Sequence, residues 1–122
     1  MKPGTTTELG RLAEDEALAL LIDEGLQLLT RNYRSPQGEI DLIMQDKDIT
    51  VFVEVRARKN NHILHPIETI DKRKQNHIIR TSQHYLQQAE KNRSRYYRYD
   101  VICLTGSIDK KNIEWIKNAF DA

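Results

Sequence analysis

The 122-residue sequence lacks long apolar runs, cysteine pairs and a secretory leader. Because no run of about 18 apolar residues exists, we expect no membrane-spanning segment. The first residues, MKPGTTTELGR, lack the apolar segment of a signal peptide. The single cysteine, Cys103, cannot form an internal disulfide and lies in the apolar run VICL. These absences predict a cytoplasmic protein with a buried free thiol.

Internal repeats, low-complexity segments and linkers are also absent, so nothing divides the chain. Hydrophobic residues make up 39% and charged residues 30% of the composition, which is typical of globular proteins. A chain of this length can bury one core. We therefore expect a single domain over residues 1–122.

Charge is distributed unevenly, although the net charge is only +1. Residues 1–55 contain 5 Lys and Arg against 11 Asp and Glu, whereas residues 56–98 contain 11 against 3. An acidic half followed by a basic half would suit a ligand that needs both a carboxylate site and a phosphate-binding rim. The alternative is a solvated surface of mixed charge.

Hydrophobic periodicity predicts two helices and five strands. The first helix spans residues 6–24, with Thr5 at its start and Gly25 as its C-terminal cap. Its apolar stripe repeats at helical spacing and comprises Leu9, Leu12, Ala13, Ala17, Leu20 and Leu21. The second helix can open at Pro66 and continues to residue 91, with an inward stripe of Ile78, Ser82, Tyr85, Leu86 and Ala89.

Predicted strands fill the rest of the pattern: residues 26–34, a hairpin within 38–58, residues 97–106 and a tail at 112–120. The tail, NIEWIKNAF, could also form a short helix, but its alternation favours a strand. The order α-β-β-β-α-β-β predicts an α/β fold in which a central mixed β-sheet is flanked by helices.

The hairpin GEIDLIMQDKDITVFVEVRAR has a register that its apolar residues constrain. Ile40, Leu42 and Met44 predict an apolar face on its first strand, and three valines, at positions 51, 53 and 55, predict one on its second. Both faces enter one core if a turn at residues 47–48 pairs positions whose numbers add up to 95. That register places Ile43 opposite Phe52.

The same register places Asp41 opposite Glu54, and Glu39 opposite Arg56. Like charges on adjacent strands repel each other, more strongly when they are buried. A shared proton or a cation would relieve the repulsion, and two carboxylates suit Mg²⁺ or Mn²⁺. The alternative is that this face is exposed to solvent and that Glu39 and Arg56 form a surface ion pair.

Four motifs resemble those of the YraN family: Gly10-x-x-x-Glu14-x-x-Ala17, Asn32-x-Arg34, GEIDLI at 38–43 and FVEVRAR at 52–58. Lys72 and the YDV at 99–101 extend the resemblance, which covers residues 9–120. GEIDLI followed by FVEV at this separation is the most specific part of the match.

The YraN family resembles the restriction-endonuclease-like superfamily, whose active site is the PD-(D/E)xK motif, and is especially similar to archaeal Holliday-junction resolvases. This resemblance implies that Asp41 and Glu54 hold a divalent metal, with the backbone carbonyl of Val55 as a further ligand. It also implies that Glu14 contributes an acid from the first helix and that Arg56 occupies the position of the catalytic lysine.

Arg56 departs from the superfamily pattern, because E-V-K has become E-V-R. An arginine keeps its positive charge but effectively never deprotonates. It could stabilise charge on a phosphate in the transition state, but it could not act as a base.

Basic residues near the motifs are predicted to contact phosphates of a nucleic acid. These are Arg34, Arg58, Lys72, Arg73 and Lys74. Our first hypothesis is a metal-dependent nuclease-like protein acting on DNA, including branched DNA. The second is a catalytically inactive module on the same fold that binds nucleic acid or a protein partner. A homodimer is compatible with either, since the resolvases pair on two-fold-symmetric junctions.

Overall fold

Two helices and five strands follow one another in the predicted order. The computed structural model describes residues 8–58, 70–88, 96–106 and 111–122. The elements are α1 (Glu8–Asp23), β1 (Gln27–Ser35), β2 (Gly38–Asp46), β3 (Ile49–Arg58), α2 (Lys72–Gln88), β4 (Tyr96–Gly106) and β5 (Lys111–Phe120). The tail is therefore a strand, as its alternation predicts, whereas the predicted cap at Thr5 lies outside the described residues.

The five strands form one mixed sheet in the order β1-β2-β3-β4-β5. Only β3 and β4 run parallel, and the other neighbouring pairs are antiparallel. A parallel pair needs a long crossover connection, and α2 lies in the one that joins β3 to β4. The α/β class and the mixed sheet are confirmed, and the architecture is compatible with a restriction-endonuclease-like core. Neither helix within the described ranges is long and apolar enough to cross a membrane.

Helix α1 packs on one face of the sheet through small and apolar side chains. Ala13, Ala17 and Leu21 are buried in a cluster that includes side chains of β2, β3 and β4. Gly25 ends the helix with a φ of +100°, a left-handed conformation that glycine adopts readily. Leu12 was predicted to join the apolar stripe but is 46% exposed. That part of the prediction is wrong, because the side of α1 that packs on the sheet is the one that carries Ala13, Ala17 and Leu21, and Leu12 lies beside it.

Helix α2 packs on the opposite face, where Ile78 and Tyr99 belong to a second buried cluster. The side chain of Asp71 accepts a hydrogen bond from the Lys74 backbone N–H at 2.8 Å, so it caps the helix, which begins at Lys72. A continuous helix from Pro66 is wrong at residues 70 and 71, which are not helical. Pro66 itself lies outside the described residues.

The hairpin of β2 and β3 is buried on both of its faces. Leu42 and Met44 belong to the cluster under α1, whereas Ile43 and Phe52 belong to the cluster under α2. The alternative of a solvent-exposed face is therefore wrong. Ile40 also packs in the α2 cluster, although alternation from Leu42 would place it under α1. The prediction that Ile40, Leu42 and Met44 share one face is therefore wrong for Ile40.

Strand β4 lies deep in the sheet between β3 and β5. Cys103 is buried there as a free thiol, as predicted. Asp100 is buried as well and accepts a hydrogen bond from Arg98 Nε at 3.0 Å. It also accepts bonds from Trp115 Nε1 and from the Asn118 backbone N–H, both at 2.9 Å. Asp100 therefore pairs with Arg98, a basic residue of its own strand.

Candidate functional site

The register of β2 and β3 brings the two acids of the hairpin together. Paired positions run from Leu42–Val53 to Asp46–Ile49, so their numbers add up to 95 as predicted. Beyond Leu42, a side chain replaces the backbone acceptor: Oδ2 of Asp41 accepts a hydrogen bond from the Val55 backbone N–H at 2.8 Å. The Asp41 carboxylate therefore lies against the backbone of β3 beside Glu54.

A residue of β1 with a left-handed backbone conformation lies at the same level as Asp41. Arg31 pairs with Leu42 and Tyr33 with Ile40, which places Asn32 level with Asp41. Asn32 has a φ of 55°, in the left-handed region that few residues other than glycine adopt, although asparagine tolerates it better than most. The break in alternation between Ile40 and Leu42 occurs at this position. Both strands are thus irregular at the level where the acids converge.

Asp41 and Glu54 form a strained carboxylate pair. Burial raises the pKa of Asp41 well above its ordinary value, and the charge of Glu54 raises it further. Burial also raises the pKa of Glu54, although Lys74 and Arg56 oppose the shift. A hydrogen bond with Asp41 also lowers the pKa of Glu54, which fits a proton held on Asp41 and shared with Glu54. The pair therefore resists carrying two negative charges.

Two cations approach one oxygen of Glu54, whose side chain is 6% exposed. Lys74 Nζ, from the first turn of α2, lies 3.6 Å from Glu54 Oε2. Arg56 Nη1, from β3 itself, lies 3.7 Å from the same oxygen. Arg56 therefore pairs with Glu54, and the predicted pairing of Arg56 with Glu39 does not form part of the described ladder between β2 and β3.

Glu14 reaches the site from α1 and is only 3% exposed. Asn32 Nδ2 donates to both carboxylate oxygens of Glu14 at 3.3 Å, and Arg31 Nε donates to Oε1 at 3.3 Å. The negative charge of Glu14 is among the causes that raise the pKa of Asp41. The structure thus brings Glu14, Asp41 and Glu54 into electrostatic contact, as the family resemblance implies.

Glu39 joins this network from the other side of Asn32. The amide of Asn32 donates to Glu39 Oε2 at 3.2 Å, and Arg34 Nε lies 3.8 Å from Glu39 Oε1. Arg34 and Glu39 also occupy paired positions in β1 and β2. The partner of Glu39 is therefore Arg34 and not Arg56, because β1 covers this edge of the hairpin.

A cavity of about 320 Å³ lies beside Glu14, between α1 and β1. Arg11, Arg31 and Asn32 are among its lining residues. Arg31 also forms a 2.6 Å ion pair with Asp15, and that hydrogen bond is the main reason why the pKa of Arg31 is raised. The lining therefore places two arginines among the acids Glu8, Glu14 and Asp15.

The donor set fits a hard divalent cation that is held by few protein ligands. Within the described ranges, no group of three or more His, Cys, Asp and Glu side chains has the arrangement of a metal site. Mg²⁺ is commonly bound through one or two carboxylates while waters and substrate phosphates complete its coordination. Asp41, Glu54 and the carbonyl of Val55 could supply such a set, because a cation would relieve the repulsion between the two buried acids.

The five predicted phosphate-binding residues differ in their exposure and in their contacts. Arg34 is exposed at β1 beside Glu39, and Arg58 is half-buried at the end of β3. Lys72 and Arg73 are exposed on the first turn of α2. Lys74, in the same turn, is directed to Glu54 instead.

Two residues of the site have roles that the sequence did not predict. Asn32 is part of a family motif without a predicted role, yet its amide connects Glu14 and Glu39. Lys74 was grouped with the phosphate contacts, yet it approaches a buried acid. An asparagine within a strand was the available signal for the first, since asparagine is depleted in strands. No local pattern could have indicated the second, because α2 meets β3 only through tertiary packing.

Comparison with known proteins identifies the chain's relatives. The model of the uncharacterised protein family UPF0102 matches residues 13–104. A UPF0102 protein of Coxiella burnetii (strain CbuK_Q154) is 40% identical over 116 residues, which cover 95% of this chain and 94% of that protein. UPF0102 proteins of Stutzerimonas stutzeri and Psychromonas ingrahamii are 42% and 46% identical over 113 residues. These matches cover 93% and 91% of this chain, and 94% and 88% of the respective relatives.

Proposed function

This chain belongs to the uncharacterised protein family UPF0102, the family that its motifs resemble, and we propose that it is a divalent-metal-dependent nuclease-like protein acting on DNA. The observation that carries the proposal is the pair of carboxylates, Asp41 and Glu54, held together although burial raises the pKa of both and the charge of Glu54 raises that of Asp41 further. The stability of the fold does not require such a pair, whereas a site that binds a cation would use both carboxylates.

Basic residues around the acids support a phosphodiester as the substrate. Arg31 and Arg34 flank Glu14 and Glu39, while Arg56 and Lys74 flank Glu54. A polyanion could approach this rim, because its phosphates would exchange contacts with cations that already lie at the site. The acidic centre would then face the scissile phosphate.

The reaction is the hydrolysis of a phosphodiester. The oxygen of one water forms a bond to phosphorus, and the bond from phosphorus to one ester oxygen breaks. One proton of the water ends on that leaving oxygen, which becomes a hydroxyl group, and the phosphate monoester keeps the negative charge. A divalent cation such as Mg²⁺ or Mn²⁺, when bound, supplies positive charge at the phosphate and acidifies water.

The chain's own residues would divide the remaining tasks. Asp41 and Glu54 provide the oxygen ligands, and the carbonyl of Val55 is a further one. Glu14 adds negative charge from α1, in a position set by Asn32. Arg56 remains a cation throughout and stabilises the charge that develops on the phosphate.

The proposal can be tested by incubating linear and branched DNA with the protein and Mg²⁺ or Mn²⁺. Asp41→Asn and Glu54→Gln are expected to reduce cleavage at least about 1000-fold, since loss of a catalytic group commonly has an effect of this size. Glu24→Gln, at an exposed position after α1, is the matched control and should keep full activity. Cleavage that survives in both site variants would contradict the proposal.

A binding module without catalysis is the second candidate, and Arg56 in the lysine position is the observation that favours it. In that case the unmodified protein should bind DNA and cleave none at any metal concentration. A gain of cleavage in Arg56→Lys would then mark a site that has lost its activity through this one residue. Absence of both metal binding and DNA binding would contradict both candidates.

A further inference from the structure

The first turn of α2 carries three basic residues, Lys72, Arg73 and Lys74, and no acidic one. Cations at a helix N-terminus interact unfavourably with the helix dipole, by about 0.3–1 kcal/mol for a single charge. The carboxylate of Asp71 caps this turn and offsets one of the three positive charges. The excess of positive charge that remains would suit a bound anion.

Lys74 differs from its two neighbours in where its side chain lies. Lys72 and Arg73 are exposed, whereas the side chain of Lys74 is 39% exposed and its Nζ lies 3.6 Å from the buried Glu54. Its charge also acts on Asp41, the other acid of the pair. Lys74 is thus the cation that α2 directs to the centre of the site from the face opposite α1.

The contact with Glu54 leaves Lys74 able to bind a second partner. An ammonium group has three N–H donors, and one Glu54 oxygen engages one of them. The distance of 3.6 Å is longer than that of a tight charge-assisted hydrogen bond, which is about 2.7–2.9 Å. A phosphate oxygen or a water at the carboxylates could therefore take up the remaining donors without displacing Glu54.

We propose that Lys74 is a catalytic residue, which contacts the scissile phosphate and the attacking water beside Glu54 and so supplies from α2 the lysine that β3 lacks at position 56. The inference rests on the proposed nuclease function. Lys74 acts as a charged donor in this role, and Arg56 stabilises the same phosphate from β3. The two cations that share Glu54 Oε2 are therefore partners with different geometry: a compact ammonium and a planar guanidinium.

The test compares Lys74→Gln with Lys47→Gln, a matched change of a lysine at an exposed position in the turn between β2 and β3. Single-turnover cleavage is measured at saturating DNA with Mn²⁺, and DNA affinity is measured with Ca²⁺ in place of Mn²⁺. Lys74→Gln should slow cleavage about 100-fold or more, as loss of one preorganised donor to a transition state does, and weaken DNA binding by less than about threefold. Lys74→Arg should recover part of the rate, because it keeps the charge.

Lys47→Gln should cleave at the unmodified rate once DNA is saturating. Equal rates in the Lys74→Gln and Lys47→Gln variants would overturn the inference and leave the proposed nuclease function standing. If the unmodified protein cleaves no DNA, the proposed function is wrong and the inference falls with it. Cleavage by the unmodified protein therefore distinguishes the two failures.

Binding of Mn²⁺ to the DNA-free protein gives a readout that does not depend on activity. Removal of a cation beside Glu54 should strengthen Mn²⁺ binding about fivefold in Lys74→Gln, because two like charges near a protein surface repel each other by on the order of 1 kcal/mol or more. Lys47→Gln should change the affinity much less. Isothermal titration at pH 8 measures both, and an unchanged affinity in Lys74→Gln would contradict its placement at the metal ligands.

Discussion

Asp100 and Asp41 are aspartates on two strands of one sheet, yet their surroundings differ. Asp100, on β4, is 1% exposed and accepts hydrogen bonds from Arg98, Trp115 and the backbone of Asn118. Burial alone would lower the pKa of Arg98, but the hydrogen bond and the charge of Asp100 outweigh it and the pKa is raised. The charge of Asp100 is therefore stabilised by donors on two neighbouring strands.

Asp41, on β2, has the Val55 N–H as a donor but shares its site with Glu54 and Glu14. Burial and the charge of Glu54 raise the pKa of Asp41, whereas Asp100 accepts hydrogen bonds from three donor groups. The two acids of one sheet therefore differ in role: the hydrogen bonds of Asp100 stabilise the fold, whereas the repulsion between Asp41 and Glu54 would be relieved by the cation of the proposed site.

The largest effect on stability is expected from Asp100→Asn. The new NH₂ group would face donors from Arg98 and Trp115, and at least one buried donor would lose its acceptor. The free energy of unfolding should fall by about 2–3 kcal/mol, the range for buried hydrogen bonds that involve charged groups. Urea denaturation measures the loss. A stability within about 0.5 kcal/mol of the unmodified protein would contradict a structural role for Asp100.

The same substitution at position 41 is expected to raise the free energy of unfolding instead of lowering it. Asp41→Asn keeps a carbonyl oxygen for the Val55 N–H and offers an N–H donor to Glu54, which removes the repulsion. The metal-free protein at neutral pH should gain on the order of 1 kcal/mol, which corresponds to a rise of about 4 °C in melting temperature for a domain near this size. Differential scanning calorimetry with a chelator present would detect the change, and a fall in melting temperature would remove the contrast between the two aspartates.

Dependence on pH should sharpen the same contrast. Because the pKa of Asp41 is raised in the folded state, its favourable contribution is present below the unfolded pKa of about 3.9 and is lost as pH rises through the raised value. The advantage of Asp41→Asn should therefore grow between pH 4.5 and pH 7.5. Urea denaturation at the two pH values compares the variant with the unmodified protein, and an advantage that shrinks with pH would contradict the direction of the shift.

The smallest effect is expected at Asn32, whose φ of 55° favours glycine over alanine. Both Asn32→Gly and Asn32→Ala remove the amide that contacts Glu14 and Glu39. The alanine variant should be less stable than the glycine variant by about 0.5–1 kcal/mol, because the strain of a left-handed alanine, about 1–2 kcal/mol, exceeds the gain of about 0.4–1 kcal/mol that alanine brings by restricting the unfolded chain. Chemical denaturation of the two variants measures this difference in stability. Equal stabilities would mean that the backbone at position 32 leaves the left-handed region in the alanine variant.

Much of the fold follows from local patterns in the chain. The alternation of apolar residues predicted the β2–β3 register, including the pairing of Ile43 with Phe52. The helical stripe correctly identified Ala17 and Leu21 in α1, and Gly25 indicated where that helix ends. These predictions succeeded because side-chain period and glycine conformation are properties of short segments.

Predictions that depended on a third element were less accurate. Glu39 and Arg56 are not paired in the described strands, because the β2–β3 ladder ends at Leu42 and Val53 and Arg34 of β1 lies beside Glu39. Leu12 was expected inside and is exposed, because the depth of α1 depends on the sheet under it. A strand pair considered alone contains no information about the element that covers its edge.

The order of elements, the hairpin and the adjacency of Asp41 to Glu54 were readable from the chain, because each depends on spacing within about 20 residues. The tertiary structure decided which charges meet these acids. It brings Glu14 from α1 and Lys74 from α2 to opposite sides of one hairpin, and it turns Asn32 toward both Glu14 and Glu39. Those contacts arise from packing two helices on two faces of a twisted sheet, and no periodicity along the chain records them.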